Sequence, residues 1–269
     1  MELKEAINKI WNKDTYTNKD RQIFNEFKQN LSDGKIRAAT KMNDNWQVNH
    51  WVKRGILIGF KMGNLKRYHY GRNKIFIDKD TYPEKKIKKT DNIRIVPGGS
   101  SIRDGAFLSE SIIIMPPAYV NVGAYIDRGC LIDSHALVGS CAQIGKNVHL
   151  SAASQLGGVI EPIGAKPVII EDDVFIGGNC GIYEGVVVRK KAILAAGVIL
   201  TSSTPVFDAT KDKFIDFTSS GVKIPEKAVV VAGSRPLKSN NNINIYCPVI
   251  VKYRDKKSEK SVNIEDIIR

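Results

Sequence analysis

The chain has 269 residues, 42% of them hydrophobic and 26% charged, a balance that excludes global disorder and suits a soluble domain with appendages. No stretch approaches the roughly 18 consecutive apolar residues of a membrane helix. The net charge of +13 is uneven: residues 1–90 carry 21 Lys and Arg against 10 Asp and Glu, residues 91–220 carry 10 against 13, and residues 221–269 carry 10 against 5. The basic runs Lys85-Lys86-Ile87-Lys88-Lys89 and Lys256-Lys257 lack aromatic stacking partners and a recognition helix, so they read as solvated faces or attractors of small anions, and nucleic acid is not the expected partner. The start, Met1-Glu2-Leu3-Lys4-Glu5, has no apolar core followed by a small-residue cleavage site, and a cytoplasmic location is expected. Cys130, Cys141, Cys180 and Cys247 are scattered without a CxxC pair, which excludes a zinc-ribbon spacing and argues against a disulfide-built fold.

In chain order, residues 1–92 are expected to form a helical N-terminal domain. Leu3, Ile7, Ile10 and Trp11 have helical spacing, as do Ile23, Phe24, Phe27 and Leu31. The apolar stretch 46–62 is a third candidate helix, passing into a strand.

A different periodicity begins after residue 92. An aliphatic residue recurs every sixth position at Ile102, Leu108, Ile114, Val120, Ile126, Ile132, Val138, Ile144, Leu150 and Leu156, with a mostly small residue four places later. The pattern stops across 162–169, resumes out of phase at Ile170, Ile176, Ile182, Val188, Leu194, Leu200 and Val206, and so implies an inserted loop at 162–169. A period of six fits neither a 3.6-residue helix nor strand alternation. It fits a parallel β-helix of hexapeptide repeats, with the aliphatic residue inward and the small one filling a tight triangular interior. Seventeen hexads make the expectation of an all-β core over 93–234 specific. Gly123, Gly129, Gly139, Gly145 and Gly177 are expected at corners with unusual backbone angles. Residues 224–233 resemble one closing rung. The extension 235–269 is expected to hold a strand over 246–253 and a helix over 262–269, capping the solenoid's end.

Three charged residues interrupt the bland array: Arg94 before the first rung, Asp133 after Ile132, and Glu184 after Ile182. Asp127 also follows a repeat aliphatic, and spacing alone does not separate it from Asp133. Only His135 and His149 lie in the repeats, one short of the three-histidine zinc set of one β-helix enzyme class, so no metal is expected. Neither a phosphate loop nor a GxSxG elbow is present, and Gly98-Gly99-Ser100-Ser101 reads as a turn because a rung follows it.

The segments Arg94–Pro97, Gly105–Phe107, Val120–Asp127, Ile132-Asp133, Val138–Ser151 and Gly157–Pro162 run in the order of one family, and the sequence resembles tetrahydrodipicolinate N-succinyltransferases over nearly its whole length. That resemblance implies left-handed β-helices assembled as a homotrimer with active sites between subunits. It implies succinyl-CoA as co-substrate, no tightly bound cofactor, and transfer to the amino nitrogen of ring-opening tetrahydrodipicolinate in lysine and diaminopimelate synthesis. It places Arg94 and Asp133 on the acceptor and Glu184 in the catalytic site. Ser134-His135 departs from a Thr-Trp pattern, which bears on the substrate wall beside Asp133.

The chemistry agrees. Arg94 can grip one acceptor carboxylate at two points, and a carboxylate can take the proton that the attacking nitrogen loses. Asp133 and Glu184 are 51 residues apart, nearly three coils, so a shared cleft would need one residue from each of two chains. Asp133 is the favoured base with Glu184 opposite, the choice between them staying open. Lys252 and Arg254 are candidates for the CoA phosphates. Two other readings remain: an acetyl-CoA-dependent acyltransferase on the same solenoid, and a non-catalytic basic trimer that binds nucleic acid.

Overall fold

The computed structural model describes residues 2–70, 74–215 and 221–255. Three helices open the chain: α1 (Leu3–Trp11), α2 (Asn18–Ser32) and α3 (His50–Met62). Thr17 caps α2 through a reciprocal capping box with Asp20. Lys13 Nζ lies 2.8 Å from Asp20 as well. The hydrogen bond from Lys13, then that from the Thr17 N–H, holds the Asp20 carboxyl down at about 2. The apolar stripes meet in a core of Ile7, Ile10, Phe24, Phe27, Leu31, Val52, Ile56 and Ile58, to which the coil contributes Val122 and Cys141. Two hairpins, Ala39–Met42 with Asn45–Val48 and Leu65–Tyr70 with Lys74–Lys79, complete the N-terminal region. The expected helix over 46–62 thus starts at His50, with Asn49 as its N-cap, and passes into the strand Leu65–Tyr70; the strand Asn45–Val48 that precedes it was not expected.

From Ile93 the chain coils through three largely parallel sheets, and within the uninterrupted stretch a strand pairs with the one 18 residues on, as in Ile126 with Ile144 and Val138 with Leu156. One sheet has ten strands and includes Ile93–Ile95, Leu131–Ile132 and His149–Leu150. The second, the Tyr119 sheet, runs in six strands from Ser101–Ile102 to Ile199–Leu200. The third, the Tyr125 sheet, runs in six strands from Phe107–Leu108 to Lys223–Ile224. The repeat aliphatics are buried together in one continuous core. At about 4.8 Å per strand step, each coil replaces its neighbour's backbone hydrogen bonds and buries its own short apolar strip.

Most corners carry a left-handed residue three places after the inward aliphatic. Gly123 and Gly129 fill it as expected, but Ser111, His135, Cys141, Asn147, Ala153, Asp173, Asn179 and Lys191 fill it too, with φ between 54° and 67°. Gly139, Gly145 and Gly177 do not have positive φ. They are glycine because a Cβ would run into the backbone of the next coil.

Two loops interrupt the coil. The first spans 157–168, between strands Gln155–Leu156 and Ile169–Ile170, so it opens earlier than expected and Ile169 belongs to the resumed strand. The second corrects the expected seventeenth rung. Val206 is buried in the core, yet the strand after it, Phe207–Asp208, pairs with Lys213–Phe214 and Val249–Tyr253, while Val188 pairs onward with Ile224. A loop residue therefore plugs the interior in phase with the repeat without continuing its wall. The closing rung runs through Lys223–Ile224 and Ala228–Val231. The expected C-terminal strand divides at Cys247-Pro248 into Asn240–Tyr246 and Val249–Tyr253, and the expected helix over 262–269 lies outside the described residues.

Candidate functional site

The outer surface of the Tyr125 sheet is sealed by the chain's own N-terminal region. The Arg37 guanidinium stacks 3.5 Å from the centre of the Tyr125 ring, and its Nε donates to Gln143 Oε1 at 2.9 Å. Ala39 is buried against Ile169 and Val187, with Trp46 beside them. Trp46 Nε1 donates to Glu171, which Lys41 also pairs at 3.0 Å. Burial pushes the Glu171 carboxyl up, but these bonds and the Lys190 N–H hold it below its ordinary value. Lys53, fully buried on α3, donates to the Ala165 carbonyl and fastens the 157–168 loop to the helices.

The ten-stranded sheet presents a different outer row. Its register places Arg94 opposite Ile113, then Leu131, His149, Phe175, Ile193 and Val229 in succession. Arg94 is exposed near one end of this row. Asp133 follows the strand Leu131–Ile132, two strand steps from Arg94, or about 10 Å. The register therefore brings the two expected acceptor-binding residues onto one sheet.

Asp133 Oδ1 accepts the Ser134 N–H at 2.7 Å, which sets the carboxylate against its own corner. Oδ2 points at a neighbour that sequence reading passed over: His149 Nε2 lies 4.0 Å away. That nitrogen is buried and has no hydrogen-bond partner among the described residues, a condition worth about 1–3 kcal/mol if it stays unmet. The Phe175 ring meets the imidazole edge-on at 4.9 Å. Burial pushes the His149 pKa down, against an upward pull from Asp133. His135 sits two residues past Asp133 in the left-handed corner position, exposed, its N–H on the Pro117 carbonyl at 2.6 Å.

Glu184 lies elsewhere. It follows strand Gly181–Ile182 of the Tyr119 sheet, two strands beyond Leu137–Val138, which Asp133 precedes. On one chain the two carboxylates thus stand at opposite edges of that sheet. Their separation is a little over two coils, less than the expected three, because the 157–168 loop spends eight residues without advancing the coil: Leu150 pairs with Ile176, 26 residues on. Glu184 is exposed and makes no hydrogen bond or ion pair among the described residues. Lys252 and Arg254 flank Tyr253 at the end of the C-terminal strand. Lys252 Nζ is 3.9 Å from Asp255, and Arg254 Nη1 donates to the carbonyls of Asp173 and Lys191.

All four cysteines are free and buried. Burial raises the thiols of Cys180 and Cys247 and takes Cys141 up to about 12, so none of these three is a ready nucleophile. No group of three metal-ligating side chains occurs among the described residues. A cleft of about 520 Å³ opens between the 65–79 hairpin and the Tyr119 sheet, lined by Tyr68, Phe76, Tyr82, Arg103 and Tyr119 among others. It contains none of the expected site residues.

Comparison with known proteins decides the lineage. Residues 2–62 match the family model described as tetrahydrodipicolinate N-succinyltransferase N-terminal, and residues 167–202 match hexapeptide repeat of succinyl-transferase. The 2,3,4,5-tetrahydropyridine-2,6-dicarboxylate N-succinyltransferase of Rickettsia conorii is 41% identical over 259 residues, covering 93% of this chain and 90% of that one. The enzyme of the same name from Legionella pneumophila is 42% identical over 255 residues, covering 91% of this chain and 87% of its own.

The chain belongs to the 2,3,4,5-tetrahydropyridine-2,6-dicarboxylate N-succinyltransferase family. The resemblance carried by the hexads therefore holds for the helical region too, where the sequence alone was least specific. For a member of this family, the row from Arg94 to His149 with Asp133 at its corner is the candidate acceptor side of the site.

Proposed function

We propose that this protein transfers the succinyl group of succinyl-CoA to the amino nitrogen of ring-opened tetrahydrodipicolinate, the succinylation step of diaminopimelate and lysine synthesis. Family membership across 93% of the chain carries this reading, and the placement of Arg94 and Asp133 on one sheet supports it. Arg94 binds one acceptor carboxylate in a bidentate grip, because a planar guanidinium matches a planar carboxylate. The nitrogen lone pair attacks the thioester carbonyl while its N–H proton passes to Asp133. The tetrahedral intermediate then collapses to the amide, and the CoA thiolate leaves and is protonated.

Glu184 acts from the opposite side of the cleft and belongs to a neighbouring subunit, which is how two carboxylates at opposite edges of one sheet come to face one substrate. The assembly is a homotrimer of left-handed coils, and cyclic symmetry gives three equivalent clefts. Residues 1–92, 93–234 and 235–269 act as helical cap, coil and extension. Lys252 and Arg254 meet the CoA phosphates, Lys252 from the surface and Arg254 from its partly buried place at the strand's end. Succinyl-CoA is a co-substrate, no cofactor is held between turnovers, and the enzyme works in the cytoplasm.

Thiol release from succinyl-CoA tests this directly. Release is expected with tetrahydrodipicolinate present and not without it, and acetyl-CoA is expected to be a poor donor. Equal turnover of acetyl-CoA would reassign the donor. Absence of acceptor-dependent thiol release, with salt-sensitive binding of DNA or RNA instead, would replace catalysis by the scaffold reading.

A further inference from the structure

The structure assigns His149 as the positioning residue of Asp133. This rests on the reading of Asp133 as the proton acceptor and adds to it a half-buried imidazole that holds the carboxylate in its working orientation.

The geometry carries the assignment. Asp133 uses Oδ1 on the Ser134 N–H, so rotation of the carboxylate is governed by what meets Oδ2. The group that meets it is His149 Nε2 at 4.0 Å, a buried nitrogen with no other partner among the described residues. That gap is about 1 Å longer than a hydrogen bond, a looseness common at catalytic groups before substrate binds. His149 stands in the outer row between Leu131 and Phe175, and the edge-on Phe175 ring fixes its plane. The flanking Leu131 and Phe175 contribute no charge, and Asp133 is the charged group that faces the ring.

The occupants of neighbouring positions say what is unusual here. A residue needed only to fill this row could be apolar, as Leu131 and Phe175 are one strand to either side. Histidine adds a nitrogen whose burial disfavours the charged form and that has, among the described residues, the Asp133 carboxylate within reach. With its proton on Nε2, the imidazole donates to Oδ2 and leaves the other lone pair of that oxygen for the substrate nitrogen. A donor on Oδ2 fixes the plane of a carboxylate already held at Oδ1, so His149 keeps Asp133 aimed at the nitrogen whose proton it takes. His149 touches no reacting atom in this scheme and acts through Asp133.

The test compares His149→Phe, His149→Gln and Asp133→Asn in the assembled enzyme, read as kcat and KM for each substrate. Phenylalanine keeps the packing on Phe175 and removes the nitrogen. It is expected to lower kcat roughly ten- to a hundredfold, the worth of one charge-assisted hydrogen bond, with KM for succinyl-CoA unchanged. It is also expected to leave KM for the acceptor within about twofold, so that the loss falls on kcat and not on binding. Glutamine, whose amide nitrogen reaches to the place of Nε2, is expected to recover part of the lost kcat. Should the phenylalanine variant not fold, His149→Leu takes its place, copying the Leu131 one strand away.

A wild-type kcat in His149→Phe or His149→Leu, beside an inactive Asp133→Asn, would overturn the role of His149 alone. An active Asp133→Asn would overturn the reading of Asp133 beneath it.

Discussion

Asp127 and Asp133 stand one hexad apart, each one residue after an inward isoleucine and each accepting the next backbone N–H, at 2.8 and 2.7 Å. Their surroundings differ. Asp127 ends a strand of the Tyr125 sheet, whose outer surface Arg37, Ala39 and Trp46 cover, and its charge falls on the stacked Arg37 guanidinium. Asp133 ends a strand of the ten-stranded sheet, shares that sheet with Arg94, and faces the half-buried His149 imidazole. The same corner chemistry thus makes a structural anion in one place and a candidate base in the other. What differs is which face the N-terminal region has taken for itself.

Exchange of the carboxylates is expected to separate the two most sharply. Asp133→Asn should cost roughly 10²–10⁴ in kcat, the usual worth of general base catalysis, whereas Asp127→Asn should stay within about twofold of wild type. Steady-state rates under saturating succinyl-CoA check both, and comparable losses in the two variants would erase the distinction. Next in size is Arg94→Lys. It keeps the charge and loses the planar two-point grip, so KM for the dicarboxylate should rise roughly ten- to a hundredfold with KM for succinyl-CoA unmoved.

On the covered face the expected effect is on folding. Arg37→Ala removes the stack on Tyr125 and leaves Gln143 Oε1 without its donor, a loss of roughly 1–3 kcal/mol that a urea midpoint would register. Activity per folded molecule should hold. The smallest effect is at the capping box, where Thr17→Ala should cost about 1 kcal/mol. Its partner Asp20 has a carboxyl held down at about 2 in the folded chain. A depressed carboxylate stabilises above its unfolded pKa near 4, and that contribution is lost as pH falls toward 2. The stability gap between wild type and Asp20→Asn should therefore close over that acid window, and a gap that widens there would contradict the pairing.

The coil was legible because its interior admits only one aliphatic and one small residue per hexad, a constraint that repeats without regard to anything distant. Legibility failed where that rule stops being local. Val206 keeps phase with Leu200 and is buried, yet it plugs the interior from a loop while the wall continues 18 residues later at Ile224. Gly157 and Gly158 continue the coil's glycine-rich texture, so the loop's early start left no mark in the period. In the N-terminal region the helices showed through their apolar spacing, whereas the hairpins, with strands of only four to six residues, did not. The tie between Asp127 and Asp133 could not be broken from the hexads, because the deciding residues, Arg37 to Trp46, lie some 80 to 90 positions earlier. His149 had no signal beyond its being one of two histidines in the repeats, and only the register of Leu131 with His149 brings it beside Asp133.

A site shared between chains is tested most directly by mixing. Asp133→Asn and Glu184→Gln homo-oligomers should each be nearly inactive, since on one chain these carboxylates stand at opposite edges of a sheet. When the two variants exchange subunits, some interfaces receive an intact Asp133 from one chain and an intact Glu184 from the next. Recovery of succinyl-CoA thiol release in the mixture is the expected result. Inactive mixtures from assemblies shown to have exchanged subunits would contradict the shared site.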